Sequence, residues 1–366
     1  MTTTARPAGP AGPEDRGSVG AGPLGSGGGG PMIETRIELP DAPAIPGLRF
    51  RMFDPAHDYE RFVDLLIAAN RADGIDELPT VEGLRADHAH AGEFDPRRDT
   101  ILAEVEGALV AAASTDVRTR DGIGVHHNDG WVRPGWRRRG LGRALLHWTE
   151  QRALEVARVD GRPPNRALSA WPDEAQIGAT ALYESEGYRI VRYGFLMVRD
   201  LGEPIGDLAL PTGLDIRPVI ESDHRRIWDA DEEAFRDHWN RAERTEADFA
   251  GWFAIPEIDT SLWRVAWDGD EVAGSVMTFI YPNDNDGLGM KRGWFEHISV
   301  RRPWRRCGLA SALIAEALRG LRDTGMTEAA LGVDSANVTG ALRVYESIGF
   351  RHSRTGVSYR KDFTAG

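Results

Sequence analysis

Cysteine is almost absent from this chain of 366 residues, in which Cys307 is the single example. One thiol cannot form an internal disulfide or a Cys-rich metal site, so we expect no metal. No apolar run approaches the ~20 residues of a membrane-spanning helix, and no apolar signal segment follows the N-terminus. These absences predict a cytoplasmic protein that has no membrane partner.

Basic residues are also fewer than acidic ones. The chain has 44 Lys and Arg and 57 Asp and Glu, which gives a net charge of −13. A protein that binds nucleic acid needs basic surface to neutralise phosphates, so this balance argues against a nucleic-acid partner. An acidic chain is compatible with a cationic substrate. The length predicts about two domains, at roughly 150 residues each.

Large apolar residues are scarce in the first 46 residues, which are rich in Gly, Pro and Ala. Such a segment cannot bury enough surface to offset the entropy lost on ordering. We therefore predict that residues 1–46 form a disordered tail and that ordered structure begins at Gly47.

The rest of the chain contains an internal repeat. Gly213–Arg217 resembles Gly47–Arg51, and further matches follow in the same order at nearly the same offset. We predict a first unit at 47–201, a linker at 202–212 and a second unit at 213–363. Each reads as β-α-α-β-β-β-α-β-α-β, an α/β (α+β) fold with a mixed, mostly antiparallel sheet flanked by helices.

Each unit contains a strand that runs into a basic turn with glycine and then into a helix. The second copy is Trp294–Ala310 and the first is Gly130–Gly142. Main-chain N–H groups and the helix dipole favour an anion at such a turn, and Gly308 removes the Cβ that would keep a ligand away. The arginines add positive charge. The alternative is a solvated basic turn.

These turns carry a family resemblance. Arg305-x-x-Gly308-x-Ala310 and Arg137-x-x-Gly140-x-Gly142 resemble the acetyl-CoA signature of the GNAT N-acetyltransferase superfamily. Tyr345, followed by Gly349-Phe350, resembles the late helix and strand of that family. The duplication resembles the tandem group that includes mycothiol synthase. The resemblance implies acetyl-CoA as co-substrate and a small molecule with a primary amine as acceptor, while a monomer and a homodimer both stay open.

The resemblance also implies which residues contact acetyl-CoA. They lie in the strand, the turn and the start of the helix, where the strand edge can pair with the amides of the pantetheine arm. In the second unit they are Ile298, Ser299, Val300, Arg305, Arg306, Cys307, Gly308, Leu309, Ala310 and, further on, Asn337. In the first unit they are Val132, Arg137, Arg138, Gly140, Leu141 and Gly142.

Acetyl transfer to an amine requires a proton acceptor for the amine and a proton donor for the departing thiolate. The resemblance assigns the donor to Tyr345. Glu296, a carboxylate in an otherwise apolar strand, is predicted to be the acceptor, directly or through water. Strand alternation predicts that Glu296 shares a face with Ile298 and Val300, with a structural His297 on the other face. The alternatives are a packed aromatic at Tyr345 and a solvated charge at Glu296.

The two units differ at these positions, because Asn128 and Ala175 stand in the first unit where Glu296 and Asn337 stand in the second. We therefore expect the second unit to be catalytic and the first to be degenerate, either binding acetyl-CoA or serving a structural role. An active first unit stays open, because His126 or His127 offers another base.

The acceptor is expected to bind between the early helices of the second unit, at 229–252, and the loop at 281–289. The candidate residues combine acidic and aromatic side chains, which suit a cationic or sugar-like amine. They are Asp231, Phe235, His238, Trp239 and Tyr281. A polar helix face and a solvated turn are the alternatives. Acetylation of a cysteinyl amine on an inositol glycoside is one specific hypothesis, and a non-catalytic acyl-CoA sensor is another.

Overall fold

A computed structural model describes residues 37–89, 94–120, 122–159, 165–236, 238–239, 244–253, 255, 258–336 and 340–364. The first unit contains strands β1 (Leu48–Met52), β2 (Thr100–Val105), β3 (Ala108–Arg120), β4 (Ile123–Val132), β5 (Asn165–Ala170) and β6 (Arg189–Asp200). Its helices are α1 (Tyr59–Asp73), α2 (Val81–Ala89), α3 (Pro96–Asp99), α4 (Leu141–Val159) and α5 (Ile177–Ser185).

The second unit has a similar order, except that a helix lies between its third and fourth strands and no α-helix among its described residues corresponds to α3. Its strands are β7 (Asp215–Arg217), β8 (Arg264–Asp268), β9 (Glu271–Ile280), β10 (Arg292–Val300), β11 (Glu328–Asp334) and β12 (Arg351–Thr364). Its helices are α6 (His224–Ala234), α7 (Glu246–Phe253), α8 (Pro282–Leu288), α9 (Leu309–Asp323) and α10 (Ala341–Ser347). Both glycine-containing basic turns therefore lie between a strand and a helix, as predicted.

The twelve strands that the structure describes form one sheet in the order β1-β2-β3-β4-β5-β12-β6-β11-β10-β9-β8-β7. Two neighbouring pairs, β4–β5 and β10–β11, are parallel, and the other neighbours are antiparallel. This arrangement confirms the predicted mixed, mostly antiparallel α/β fold.

The two units exchange their last strands. β6 of the first unit pairs with β11 of the second, and β12 of the second unit pairs with β5 of the first. β6 and β12 also pair with each other at the centre of the sheet. Each unit thus completes the sheet of its neighbour, as in domain swapping. The boundaries at 201 and 213 stay a prediction.

Helix α9 shows how the second unit is assembled. Leu309, Leu313 and Ala317 recur every four residues and are buried against the sheet. Each leucine buried in this way stabilises the fold by about 1.5–3 kcal/mol. Helix α6 lies on the opposite face, where Ile227 packs with Trp263. The sheet therefore separates an α9 face from an α6 face, and β10 contributes to both.

Residues 37–46 correct the prediction of a tail that extends to residue 46. Ile37, Leu39 and Ile45 pack against the core beside β1 and α4. Burial of these three apolar side chains stabilises the segment, although its overall composition is rich in Gly and Pro. Residues 1–36 lie outside the described residues.

The loop at 281–289 also differs from a simple solvated turn, because Pro282–Leu288 is helix α8. Proline at the first helical position is favourable, since its missing N–H would have no partner there. Asp284 is buried and accepts a hydrogen bond from the main-chain N–H of Leu78 at 3.2 Å. Leu78 of the first unit therefore helps to hold helix α8 of the second unit in place. None of the described helices has the length and hydropathy needed to cross a membrane.

Candidate active site

The turn between β10 and α9 has an unusual backbone. Arg306 and Gly308 both adopt left-handed conformations, with φ of 62° and 89°. A non-glycine residue seldom adopts this conformation, and such strain concentrates at functional sites. Alternation of this kind makes neighbouring main-chain N–H groups converge on an anion. Arg138 and Gly140 repeat the geometry in the first unit, with φ of 62° and 90°.

The first arginine of each signature points away from the anion site. The Arg305 guanidinium donates to the carbonyls of Val300, at 2.9 Å, and Ala234, at 3.0 Å. Arg137 donates likewise to the Val132 carbonyl, at 3.1 Å, and also pairs with Asp73. These side chains tie the turn to the preceding strand and to an early helix, which corrects the expectation that the Arg305 guanidinium supplies phosphate charge.

The remaining turn residues have separate roles. Arg306 is exposed and forms no ion pair with any residue in the described ranges, so its charge is available to a ligand. Leu309 is buried and fixes the start of α9, next to the half-buried Ala310. Cys307 is exposed, and its thiol donates to the Trp304 carbonyl at 3.0 Å. In the first unit, Leu141 is buried and Gly142 lies against Leu182.

Strand β10 pairs with β11 only over its first three residues. Their ladder covers Arg292 to Trp294, whereas pairing with β9 continues to Val300. Among the described residues, no strand pairs with the β11 side of β10 at Ile298, Ser299 and Val300. This edge can accept an extended ligand arm. The β4–β5 ladder ends similarly, at His127, which leaves the corresponding edge at Val132.

A β-bulge interrupts β10 at the proposed base. Phe295 pairs with Thr278 and His297 pairs with Met277, so Glu296 is the extra residue. Strict alternation therefore fails, and the predicted sharing of faces is wrong. Ile298 and Val300 pack on the α9 face, whereas Glu296 and His297 both contact groups on the α6 face. The spacing of three between apolar Phe295 and Ile298 was the sequence signal of this bulge.

Glu296 is held by a hydrogen bond. The Tyr281 hydroxyl donates to its carboxylate at 2.9 Å. Tyr281 belongs to the aromatic core on the α6 face and immediately precedes α8. Tyr281, which is predicted to bind the acceptor amine, thus lies in direct contact with Glu296, the predicted base.

His297 forms a pair with Asp231 of α6. Its Nδ1 lies 2.7 Å from the Asp231 carboxylate, which is 1% exposed. Burial by itself would raise the pKa of Asp231, but His297 and Arg244 outweigh burial and lower that pKa below its ordinary value. Asp231 therefore stays ionised, and His297 lies between it and the face of β10. Strand alternation predicts a structural His297 on the opposite face, whereas the ring lies on the α6 face.

Aromatic rings surround this pair. The His297 ring lies 5.4 Å from Phe235 and 5.0 Å from Trp252. Phe235 in turn lies 4.6 Å from His238, where burial lowers the pKa to about 4 and keeps that ring neutral. Trp239 lies elsewhere, between Arg192 and Arg360 of the exchanged strands. Of the five residues predicted to bind the acceptor amine, all but Trp239 thus lie around Glu296 and the neighbouring His297.

Tyr345 lies on the other face of the sheet. It is 7% exposed and packs in the α9 core with Phe350, whose ring is also 6.0 Å from Phe295. Burial raises the pKa of the Tyr345 hydroxyl well above its ordinary value, so the group is protonated at neutral pH. Tyr345 and Glu296 therefore lie on opposite faces of the sheet, and Tyr345 is linked to β10 through Phe350 and Phe295. Asn337 lies outside the described residues.

The first unit is arranged differently at this point. Its strand β4 pairs with β3 without a register shift, and Asn128 is buried. The Asn128 amide donates to the Tyr188 hydroxyl at 3.1 Å, and Tyr183 donates to the Asn128 carbonyl at 3.4 Å. His126 is buried and His127 pairs with Asp129 at 3.3 Å. Side chains therefore bond to one another where the second unit has Glu296.

Known sequences match both units. A sequence model described as Acetyltransferase (GNAT) family matches residues 224–350, and one described as Acetyltransferase (GNAT) domain matches residues 96–190. The mycothiol acetyltransferase of Geodermatophilus obscurus is 30% identical over 300 residues, which cover 81% of this chain and 92% of that protein.

Solved structures agree. A GCN5-related N-acetyltransferase from Sphaerobacter thermophilus has 26% identity and a TM-score of 0.68, with coverage of 87% of this chain and 97% of that one. A tandem GNAT protein from the clavulanic acid biosynthesis pathway has 20% identity and a TM-score of 0.61, with coverage of 87% and 99%, and so supports the fold alone.

Proposed function

The chain belongs to the GNAT acetyltransferase family, and from that premise we propose that its second unit transfers the acetyl group of acetyl-CoA to the primary amine of a small molecule. The observation that supports this proposal is that Glu296 follows the end of the β10–β11 ladder on one face of the sheet, while Tyr345 packs in the α9 core on the other face.

The turn and the strand edge would hold the cofactor. The pyrophosphate of acetyl-CoA fits the left-handed turn at Arg306 and Gly308, with the start of α9 behind it. The pantetheine arm would then run along Ile298, Ser299 and Val300. This path brings the thioester to the gap between β10 and β11.

The chemistry follows from that position. The amine approaches from the α6 face and attacks the thioester carbonyl, and Glu296 accepts a proton from it, directly or through one water. Main-chain N–H groups of β10 beyond the ladder with β11 would stabilise the oxyanion. Tyr345, on the α9 face, donates a proton to the departing sulfur. The first unit would bind acetyl-CoA or serve a structural role.

The relatives support a narrower acceptor. The name mycothiol acetyltransferase, borne by a relative that matches over most of its length, favours a cysteinyl amine on an inositol glycoside. The aromatic wall of Phe235 and Trp252 and the carboxylate of Glu296 suit a sugar that carries an ammonium group.

A panel of amines tests the function. The wild-type chain is incubated with acetyl-CoA and desacetylmycothiol, cysteine, glucosamine, spermidine or an aminoglycoside, and free thiol release is followed with mass detection of acetylated products. We expect turnover with at least one amine and the largest kcat/KM with desacetylmycothiol. Tight binding of acetyl-CoA without acetylation of any amine would favour an acyl-CoA sensor instead.

A further inference from the structure

The buried pair of His297 and Asp231, which lies beside Glu296, has no part in the mechanism above. Asp231 is 1% exposed and its Oδ2 lies 2.7 Å from the Nδ1 of His297. Arg244, at 3.5 Å, already provides Asp231 with a cationic neighbour. Neutralising a buried carboxylate therefore does not by itself explain a histidine at this position of the strand.

The bulge gives the pair its location. Because Glu296 is the extra residue of β10, His297 follows it on the α6 face instead of the opposite one. The Nδ1 atom of His297 is held by Asp231, and its Nε2 makes no hydrogen bond with any of the residues that the structure describes. Phe235 and Trp252 confine the ring.

We propose that His297, oriented by Asp231, is a second proton acceptor of this site, which takes the proton that an ammonium substrate must lose before it can attack. The proposal rests on the proposed function, because it presumes an amine acceptor on the α6 face. It makes His297 a catalytic residue and Asp231 a positioning residue, with Glu296 receiving the proton released after attack.

The nitrogen of the substrate must lose two protons during the reaction. An ammonium group that becomes a neutral amide loses two protons, while the thioester C–S bond breaks and a C–N bond forms. One proton corresponds to the S–H of coenzyme A, and the other is released to solvent. In the proposed step an N–H bond of the ammonium breaks, an Nε2–H bond forms on His297, and the imidazolium is stabilised by Asp231 until water takes the proton.

The charged surroundings of His297 favour this step. Asp231 faces it from α6, Glu296 precedes it on β10 with Tyr281 bonded to that carboxylate, and Arg244 lies behind Asp231. The carboxylate of Asp231 thus contacts the ring directly, Glu296 is the neighbouring residue of the strand, and the guanidinium of Arg244 contacts Asp231. His238, the other nearby imidazole, has a pKa of about 4 because it is buried, so it is neutral.

Kinetics over a pH range test the proposal with the best amine of the panel. We expect His297→Gln to lower kcat/KM by about 10²-fold, the lower end of general-base effects, with a loss that depends on pH. Asp231→Asn should lower it about tenfold, because the ring loses the carboxylate that orients it. Loss of less than twofold in His297→Gln, or an equal loss at every pH, would overturn the proposal.

The first unit offers a matched control. His147 pairs with Asp41 at the same Nδ1-to-carboxylate distance of 2.7 Å, on the exposed side of α4. His147→Gln should leave kcat/KM and its pH profile unchanged. Acetylation by the wild type with no effect of His297→Gln would reject His297 while the proposed function stands, whereas no acetylation of any amine would reject the function.

A substrate-independent measurement completes the test. In the free protein, ¹⁵N spectra of the neutral imidazole should show His297 with its proton on Nδ1 and an unprotonated Nε2. Asp231→Asn should weaken that preference. A neutral ring with its proton on Nε2 cannot accept a proton there, so this tautomer would overturn the proposal even if no acceptor amine were known.

Discussion

The two basic turns have the same backbone conformation, yet the strands that lead into them differ. Arg138 and Gly140 reproduce the left-handed conformations of Arg306 and Gly308 to within about a degree. Strand β10, however, has a bulge at Glu296, whereas β4 is regular through Asn128. The conformation of the turn therefore does not depend on the bulge in the preceding strand or on a carboxylate at the position of Glu296.

The first turn also has a neighbour that the second lacks. A Cβ built on Gly140 would lie 3.2 Å from Pro43, whereas nothing among the described residues lies within 4 Å of a Cβ built on Gly308. Pro43 belongs to the ordered segment before β1, and Asp41 of the same segment bonds His147 on α4. The first turn therefore already has chain packed beside it, and the second does not.

The largest expected effect comes from closing the turn. Gly308→Glu should lower kcat/KM by more than about 10³-fold, because a carboxylate would occupy the anion site at a residue with φ of 89°. Gly140→Glu should lower it by less than about tenfold, through stability alone. Acetyl-CoA titration by calorimetry and initial rates measure both.

Gly308→Ala separates strain from charge. It carries the same left-handed penalty, about 1 kcal/mol, but no carboxylate. Its rate should stay within about tenfold of wild type. Equal losses in Gly308→Glu and Gly140→Glu at unchanged thermal stability would mean that the units are equivalent or coupled, which would break the comparison.

The two equivalent tyrosines give the next contrast. Tyr345→Phe should lower kcat by about 10²–10³-fold and leave the Kd of acetyl-CoA unchanged, because only the proton donor for sulfur is lost. Tyr183→Phe should leave kcat unchanged, since its hydroxyl bonds the Asn128 carbonyl. A wild-type rate in Tyr345→Phe would exclude Tyr345 as the acid.

Substitutions of Glu296 and of its hydrogen-bond partner Tyr281 should lower kcat to different extents. Glu296→Gln is expected to lower kcat by about 10²-fold, and Tyr281→Phe by about tenfold, because the carboxylate keeps its charge but loses its hydrogen bond. Tyr188→Phe, which removes the partner of the Asn128 amide, should lower the melting temperature without changing kcat. If Tyr281→Phe instead matched Glu296→Gln, Tyr281 itself would contact the reacting groups.

Local sequence sufficed for much of this structure. The repeat, the order of elements and both turns followed from motifs whose geometry depends on a few neighbouring residues, such as glycine at position 308. Family resemblance then proposed Tyr345 and Glu296. The packing of Ile37, Leu39 and Ile45 lay beyond composition, because three apolar side chains matter only when a matching core is present.

Long-range pairing could not be read in the same way. The exchange of β6 and β12 joins strands of similar pattern, and nothing local distinguishes one partner from the other. The pair of His297 and Asp231 depends on a bulge and on the packing of α6, so alternation assigned His297 to the wrong face. The Phe295-to-Ile298 spacing was the one available hint.

The smallest expected effect is a difference in pH-dependent stability between the units. Burial lowers the pKa of His238 to about 4, so the unfolded chain binds more protons between about pH 6.5 and pH 4, and stability falls as pH drops through this range. Glu186 and Asp41 outweigh burial and raise the pKa of His147, so its contribution is full below about pH 6.5 and is lost as pH rises through the raised pKa. Melting temperatures at pH 4.5, 6 and 8 should therefore decline less toward acid in His238→Gln than in wild type, and decline more in His147→Gln. Parallel curves for both variants would show that neither imidazole changes its protonation on unfolding, and the two units would then not differ in this respect.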